Sequence, residues 1–107
     1  MISTHILDTS LGSPADAVAV KLQRKDGDTW KELSKGVTNT DGRFVFDCDK
    51  VAGVYQITFD IEDYFKKTQR ECFFMNTPVI FKVSDTQRKY HVPLLLSPFG
   101  YSTYRGS

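Results

Sequence analysis

The stretch that decides the fold is Gly53-Val54-Tyr55-Gln56-Ile57-Thr58-Phe59-Asp60. Tyr55, Ile57 and Phe59 alternate with Gln56, Thr58 and Asp60, a period of two that sets one face on a core and the other toward water. Aromatic and β-branched residues suit such a pleated, half-buried surface. The same beat recurs upstream, where Val18, Val20 and Leu22 alternate with Ala19, Lys21 and Gln23. It recurs downstream, where Val79, Phe81 and Val83 straddle Lys82 and Ile80 takes the opposite face. Asp26-Gly27 separates the run ending near Arg24 from one carrying Trp30 and Leu33, and Asp41-Gly42 separates Val37-Thr38 from Arg43-Phe44-Val45-Phe46. Asp-Gly marks a tight turn because glycine takes the positive φ that such turns require. Pro14 punctuates a loop after the first strand. The one helical candidate is Ile61 to Lys67, with Ile61, Tyr64 and Phe65 at i, i+3 and i+4. Seven residues make a connector rather than a core element. Seven or eight short strands with one short helix predict an all-β fold, an antiparallel β-sandwich, in a single domain spanning residues 1–107.

Composition agrees and excludes several classes. The 107 residues are 40% hydrophobic and 25% charged, with a net charge of +1, which rules out disordered and collagen-like chains. No apolar run approaches the ~20 residues of a membrane helix, and no charged-then-apolar leader opens the chain. A cytoplasmic protein with no membrane association is therefore expected. The near-zero charge argues against a nucleic-acid partner, which would ask for a basic surplus on one face. Cys48 and Cys72 are too few for a disulfide framework. One bridge, or two reduced and mostly buried thiols, both fit, and the thiols are expected. Neither has a partner at metal-ligand spacing, so no metal is expected.

Few residues can carry chemistry. The sequence holds two histidines, His5 and His91, so any acid–base work by imidazole near neutral pH must use one or both. If Ile6 points to the core, His5 points away from it beside Ser3 and Leu7. Arg43 opens a strand after the Asp41-Gly42 turn, and its fork can grip a carboxylate or a planar anionic heterocycle; a surface salt bridge is the plainer use of it. The run Val92, Leu94, Leu95, Leu96, Phe99 and Tyr101 is apolar on both faces. It is either a central strand of the monomer or a strand whose second face a partner subunit buries, and the latter is expected. The tail from Ser97 to Ser107 is rich in hydroxyls and aromatics; its alternating Tyr101, Thr103 and Arg105 suggest a strand, whereas chain ends often fray. No nucleophile triad, phosphate loop or paired-cysteine motif is present.

Three blocks carry a resemblance: Ser3-Thr4-His5-Ile6-Leu7-Asp8, Thr38-Asn39-Thr40-Asp41-Gly42-Arg43, and Tyr90 to Ser107 with its closing Tyr-Arg-Gly-Ser. Together they make the chain similar, over essentially its whole length, to the 5-hydroxyisourate hydrolases of the transthyretin-like family. The most specific part is His91-Val92-Pro93-Leu94-Leu95-Leu96-Ser97-Pro98 with the tail. The resemblance implies a transthyretin (prealbumin)-like sandwich that hydrolyses the lactam of 5-hydroxyisourate in urate degradation, giving 2-oxo-4-hydroxy-4-carboxy-5-ureidoimidazoline. It implies a catalytic set of His5, Arg43 and His91, with Tyr104, Arg105, Gly106 and Ser107 also binding substrate. No metal or organic cofactor is implied. It further implies a homotetramer, a dimer of dimers, with sites where the dimers meet. Urate oxidation is peroxisomal in many eukaryotes, so a peroxisomal location is the alternative, although the ending is not Ser-Lys-Leu. Against the pattern, Met75-Asn76-Thr77 intervene between Phe73-Phe74 and Pro78, and Arg88-Lys89 is unusually basic. Transthyretin itself, a ligand carrier on the same sandwich, is expected to lack the histidine pair and the Tyr-Arg-Gly-Ser ending.

Overall fold

The alternation places nine strands and one helix in the computed structural model, which describes residues 1–107. In chain order these are β1 (Ile2–Asp8), β2 (Ser13–Pro14), β3 (Ala19–Asp26), β4 (Thr29–Val37), β5 (Arg43–Phe46), β6 (Gly53–Phe59), α1 (Ile61–Lys67), β7 (Thr77–Val83), β8 (Tyr90–Ser97) and β9 (Gly100–Thr103). One sheet runs β2-β1-β8-β9, with β5 sharing the β2 edge of β1; the other runs β4-β3-β6-β7. The expected sandwich is therefore present, with two refinements. Pro14 belongs to a two-residue strand paired with Leu7, not to a loop. And β1 pairs with β8 in parallel, whereas every other ladder is antiparallel.

Inward residues of both sheets meet in one core that includes Ile6, Leu22, Tyr55, Ile57, Phe59, Leu94 and Leu96. The helix starts at Asp60, whose carboxylate accepts from the Asp63 amide at 3.2 Å, a normal N-cap. It buries Ile61, Tyr64 and Phe65, as the spacing predicts. Tyr64 donates its hydroxyl to Asp8 Oδ2 at 2.7 Å, and Arg70 donates to the same oxygen at 2.6 Å. The last residue of β1 is thus tied to the helix. Burial opposes ionisation of Asp8, but the hydrogen bonds from Arg70, Ser10 and Tyr64 outweigh it and hold the carboxyl at about 2.

In β8, Leu94 and Leu96 are core residues and Leu95 is half-buried on the outer face. The run is thus a central strand with one partly open face. Both cysteines are free, and they are half-buried rather than mostly buried. Met75 and Asn76 lie in an exposed loop before β7, and Thr77 is the buried first residue of that strand. No helix is long and apolar enough to cross a membrane.

Candidate functional site

The outer face of the first sheet collects the polar residues singled out by the sequence. Period-two geometry turns Ile2, Thr4, Ile6 and Asp8 of β1 inward and Ser3, His5 and Leu7 outward. The register sets His5 opposite Arg43 of β5 and Ser3 opposite His91 of β8. His5 and Arg43 are directly paired, with Cα atoms about 5 Å apart by antiparallel geometry. His5 and His91 are diagonal neighbours, about 8 Å apart by the strand spacing and rise.

Local chemistry fixes Arg43. Asn39 Oδ1 accepts from the amides of Asp41 at 2.9 Å and Arg43 at 3.0 Å, an Asx turn that reverses the chain. Gly42 has φ +74°, and a Cβ there would lie 2.5 Å from the Ile6 carbonyl oxygen, which only glycine avoids. The Gly42 carbonyl accepts from the Ile6 amide at 2.8 Å and seats the turn on β1. The exposed Arg43 guanidinium makes no ion pair or hydrogen bond within the chain, so the plain salt-bridge use does not apply.

His91 is held from two sides. Ser3 Oγ lies 2.9 Å from Nδ1, and on the other edge the Gly106 amide donates to the His91 carbonyl at 2.8 Å. The tail continues the β8–β9 register past Thr103 to the His91–Gly106 bridge. The ladder lapses around Pro93, which has no N–H to give; there Thr103 Oγ1 donates to the Pro93 carbonyl at 2.6 Å. A Cβ at Gly106 would meet His91 Cδ2 at 2.5 Å and Pro93 Cγ at 3.1 Å, so the absent side chain is what admits the imidazole. Burial, the Arg43 charge and His5 together push the His91 imidazole below its usual value. Each of these causes favours the neutral ring over the imidazolium.

Arg43, His91, Ser3, Thr4, Lys89 and Ser107 help to line an open hollow of about 250 Å³. His5 stands beside it on the same face rather than in its lining. Two residues of the predicted set point elsewhere. Arg105 stacks over the Tyr90 ring at 4.6 Å and donates to the Lys89 carbonyl. Tyr104 is exposed, its hydroxyl is unbonded, and it borders a second hollow of about 200 Å³ between β7, β8 and the tail. His91 borders both hollows. Sequence reasoning placed Ser3 beside His5 but missed its contact with His91; it singled out Lys89 for its charge without placing it in the lining. No three His, Cys, Asp or Glu side chains gather at metal-holding distances.

Two facing sheets, one of which bears two imidazoles and an unpaired guanidinium on its outer surface, define a small β-sandwich protein with a basic, imidazole-bearing face. Residues 2–106 match the family described as Transthyretin, the HIUase/Transthyretin family. A 5-hydroxyisourate hydrolase of Salmonella typhimurium is 44% identical over 110 residues, covering 100% of this chain and 81% of that protein. The structure of Klebsiella pneumoniae 5-hydroxyisourate hydrolase superposes with a TM-score of 0.87 at 39% identity, over 99% of this chain and 98% of that one. Sea bream transthyretin in complex with thyroxine superposes with a TM-score of 0.93 at 33% identity, over 98% and 93% of the two chains. The chain belongs to the HIUase/Transthyretin family.

Proposed function

We infer that this protein is a 5-hydroxyisourate hydrolase, opening the lactam of its substrate to 2-oxo-4-hydroxy-4-carboxy-5-ureidoimidazoline. The observation that carries the reading is the meeting of His5, Arg43 and His91 on one sheet face, against the Gly106-Ser107 end of the tail. Shape alone does not separate a hydrolase from a carrier, since relatives of both kinds superpose closely. The two imidazoles and the unpaired guanidinium of this face support the hydrolase.

Hydrolysis of a lactam needs a base for water, donors for the oxyanion and a proton for the departing nitrogen. In the proposed site Arg43 holds the flat anionic ring by its fork and faces the oxygen on which charge develops. One imidazole takes a proton from water as the oxygen bonds to the carbonyl carbon. The tetrahedral intermediate collapses as the C–N bond breaks, and the nitrogen takes a proton back. The carbonyl carbon becomes the product's carboxyl group, which releases its remaining proton to solvent as it ionises, and the nitrogen ends the ureido group. No redox step and no cofactor enter this balance. Ser107 closes one side of the hollow, and Gly106 before it is bonded to the His91 backbone. Tyr104 and Arg105, whose side chains lie toward the second hollow, reach substrate only if the tail shifts or a neighbouring chain completes the site.

The assembly we propose is a tetramer of two dimers, with the outer face of the first sheet closed between dimers. Supporting it, that face carries exposed Val45 and half-buried Leu7 and Leu95 around the polar cluster, an apolar frame that a second copy would cover. The test of the function is to generate 5-hydroxyisourate in situ with urate oxidase and follow its ultraviolet absorbance. Decay well above the spontaneous rate is expected. Decay at the spontaneous rate by folded protein refutes the assignment.

A further inference from the structure

We propose that Ser3 is a positioning residue that fixes His91 as the Nε2–H tautomer, so that His91 meets substrate as a hydrogen-bond donor and His5 is the base that takes the proton from water. This rests on the hydrolase reading and deepens it, because it divides the two imidazoles between two jobs.

The argument starts from a hydroxyl. Ser3 is 8% exposed although it sits on the outer face, because β5 and β8 flank it. Its Oγ has one partner in the chain, His91 Nδ1 at 2.9 Å. That bond has two forms. If Nδ1 carried the proton and donated, the Ser3 hydroxyl hydrogen would be left nearly buried with no acceptor in the chain. If the hydroxyl donates, only a second lone pair on Oγ goes unused, which is cheaper. The second form requires a lone pair on Nδ1, and in a neutral ring the proton is then on Nε2.

Packing aims that proton. Nδ1 and Cδ2 flank Cγ in the ring; the first faces Ser3 of β1 and the second faces the Gly106 backbone of the tail. The free rim is therefore Cε1–Nε2, away from Ser3, and His91 borders both the hollow it shares with Arg43 and the one it shares with Tyr104. The charged and titratable groups around the ring are His5 from β1, Arg43 from β5 and Lys89 ahead of β8, with Ser107 of the tail also lining the hollow. Arg43 and His5 both disfavour a second proton on the ring. A neutral donor beside an unpaired guanidinium suits an oxyanion or the carbonyl that becomes one. It does not suit removal of a proton from water, which leaves that step to His5.

The test is nitrogen-15 NMR of the imidazoles in the full chain above the histidine titration, with steady-state kinetics on the same samples. Wild-type protein should show His91 Nε2 protonated and Nδ1 bearing a lone pair. Ser3→Ala should mix the tautomers, raise the His91 pKa by removing a donor to the neutral ring, and lower kcat about 10- to 100-fold, the scale on which groups that orient a working histidine act, with KM little changed. Ser3→Thr, which keeps the hydroxyl, should restore both the tautomer and most of kcat. A wild-type His91 protonated on Nδ1 overturns the proposal, as does a Ser3→Ala enzyme with unchanged tautomer and kcat. If Ser3→Ala does not fold, the wild-type spectrum and Ser3→Thr still decide. The tautomer is read without substrate, so a protein with the predicted tautomer but no turnover refutes the hydrolase reading instead.

Discussion

Replacing Gly106 by alanine puts one carbon where the structure has room for none. The added Cβ would sit 2.5 Å from His91 Cδ2, 3.3 Å from His91 Cγ and 3.1 Å from Pro93 Cγ. Carbon atoms pack best at about 3.5–4.0 Å, so the ring or the tail must retreat by about 1 Å. The ring has little freedom, because Ser3 holds Nδ1 and Pro93 is buried next along the strand. The tail is held at this point mainly by the Gly106–His91 amide bond at 2.8 Å, and it yields first. Ser107, which lines the hollow with Arg43, moves with it, and a misplacement of about 1 Å at a reacting site can cost on the order of 100-fold in rate. Gly106→Ala should therefore lose about two decades of kcat for 5-hydroxyisourate generated in situ, while its melting temperature stays near wild type because the core is untouched. Near-normal turnover in a folded Gly106→Ala protein would show that the position of the tail end does not matter to the site, and the geometry argued for it would be wrong.

Arg43→Lys keeps the charge but loses the fork, and kcat/KM should fall by about 10²–10³, the cost of removing one oxyanion donor; a loss under threefold contradicts the bidentate role. His91 is held below the ordinary 6.5 by burial, Arg43 and His5, so it stays neutral to lower pH than a free imidazole. Arg43→Gln removes one of those causes and should move the NMR titration of His91 upward; an unchanged midpoint contradicts the proximity. Asp8 titrates at about 2 in the folded chain against 3.8 for the free side chain, a depressed acid that stabilises the fold by about 2 kcal/mol above pH 4. That stability is lost as pH falls from about 4 toward 2. Urea unfolding across this window should show the loss in wild type and a flatter, lower curve for Asp8→Asn; superimposable curves contradict the network with Tyr64 and Arg70.

The sheets were legible because their signals are local. Alternation in β6 and β3, the Asp-Gly turns and the Ile61–Tyr64–Phe65 spacing each need only neighbouring residues, and each stands as read. The parallel β1–β8 pair was not legible, since its register joins residues 88 apart, and that register is what brings Ser3 to His91. Arg43 could be placed at a strand start from Asp41-Gly42, but its position opposite His5 depends on which strand β5 joins. Tyr104 and Arg105 came into the site set from the family resemblance alone. Once the tail continues the β9 register to Gly106, Arg105 falls opposite the inward-facing Val92 and packs on Tyr90 instead. A proline in a central strand ordinarily argues against one; Pro93 is accommodated because the ladder to the tail lapses there and the Thr103 hydroxyl bonds its carbonyl.

The most direct measurement is a crystal structure of the full assembly with a non-hydrolysable oxidised-purine analogue. The account predicts the ring on the outer face of the first sheet, gripped by the Arg43 fork, within hydrogen-bond reach of His91 Nε2 and beside His5. An analogue bound at any other surface, with this face empty, would contradict it.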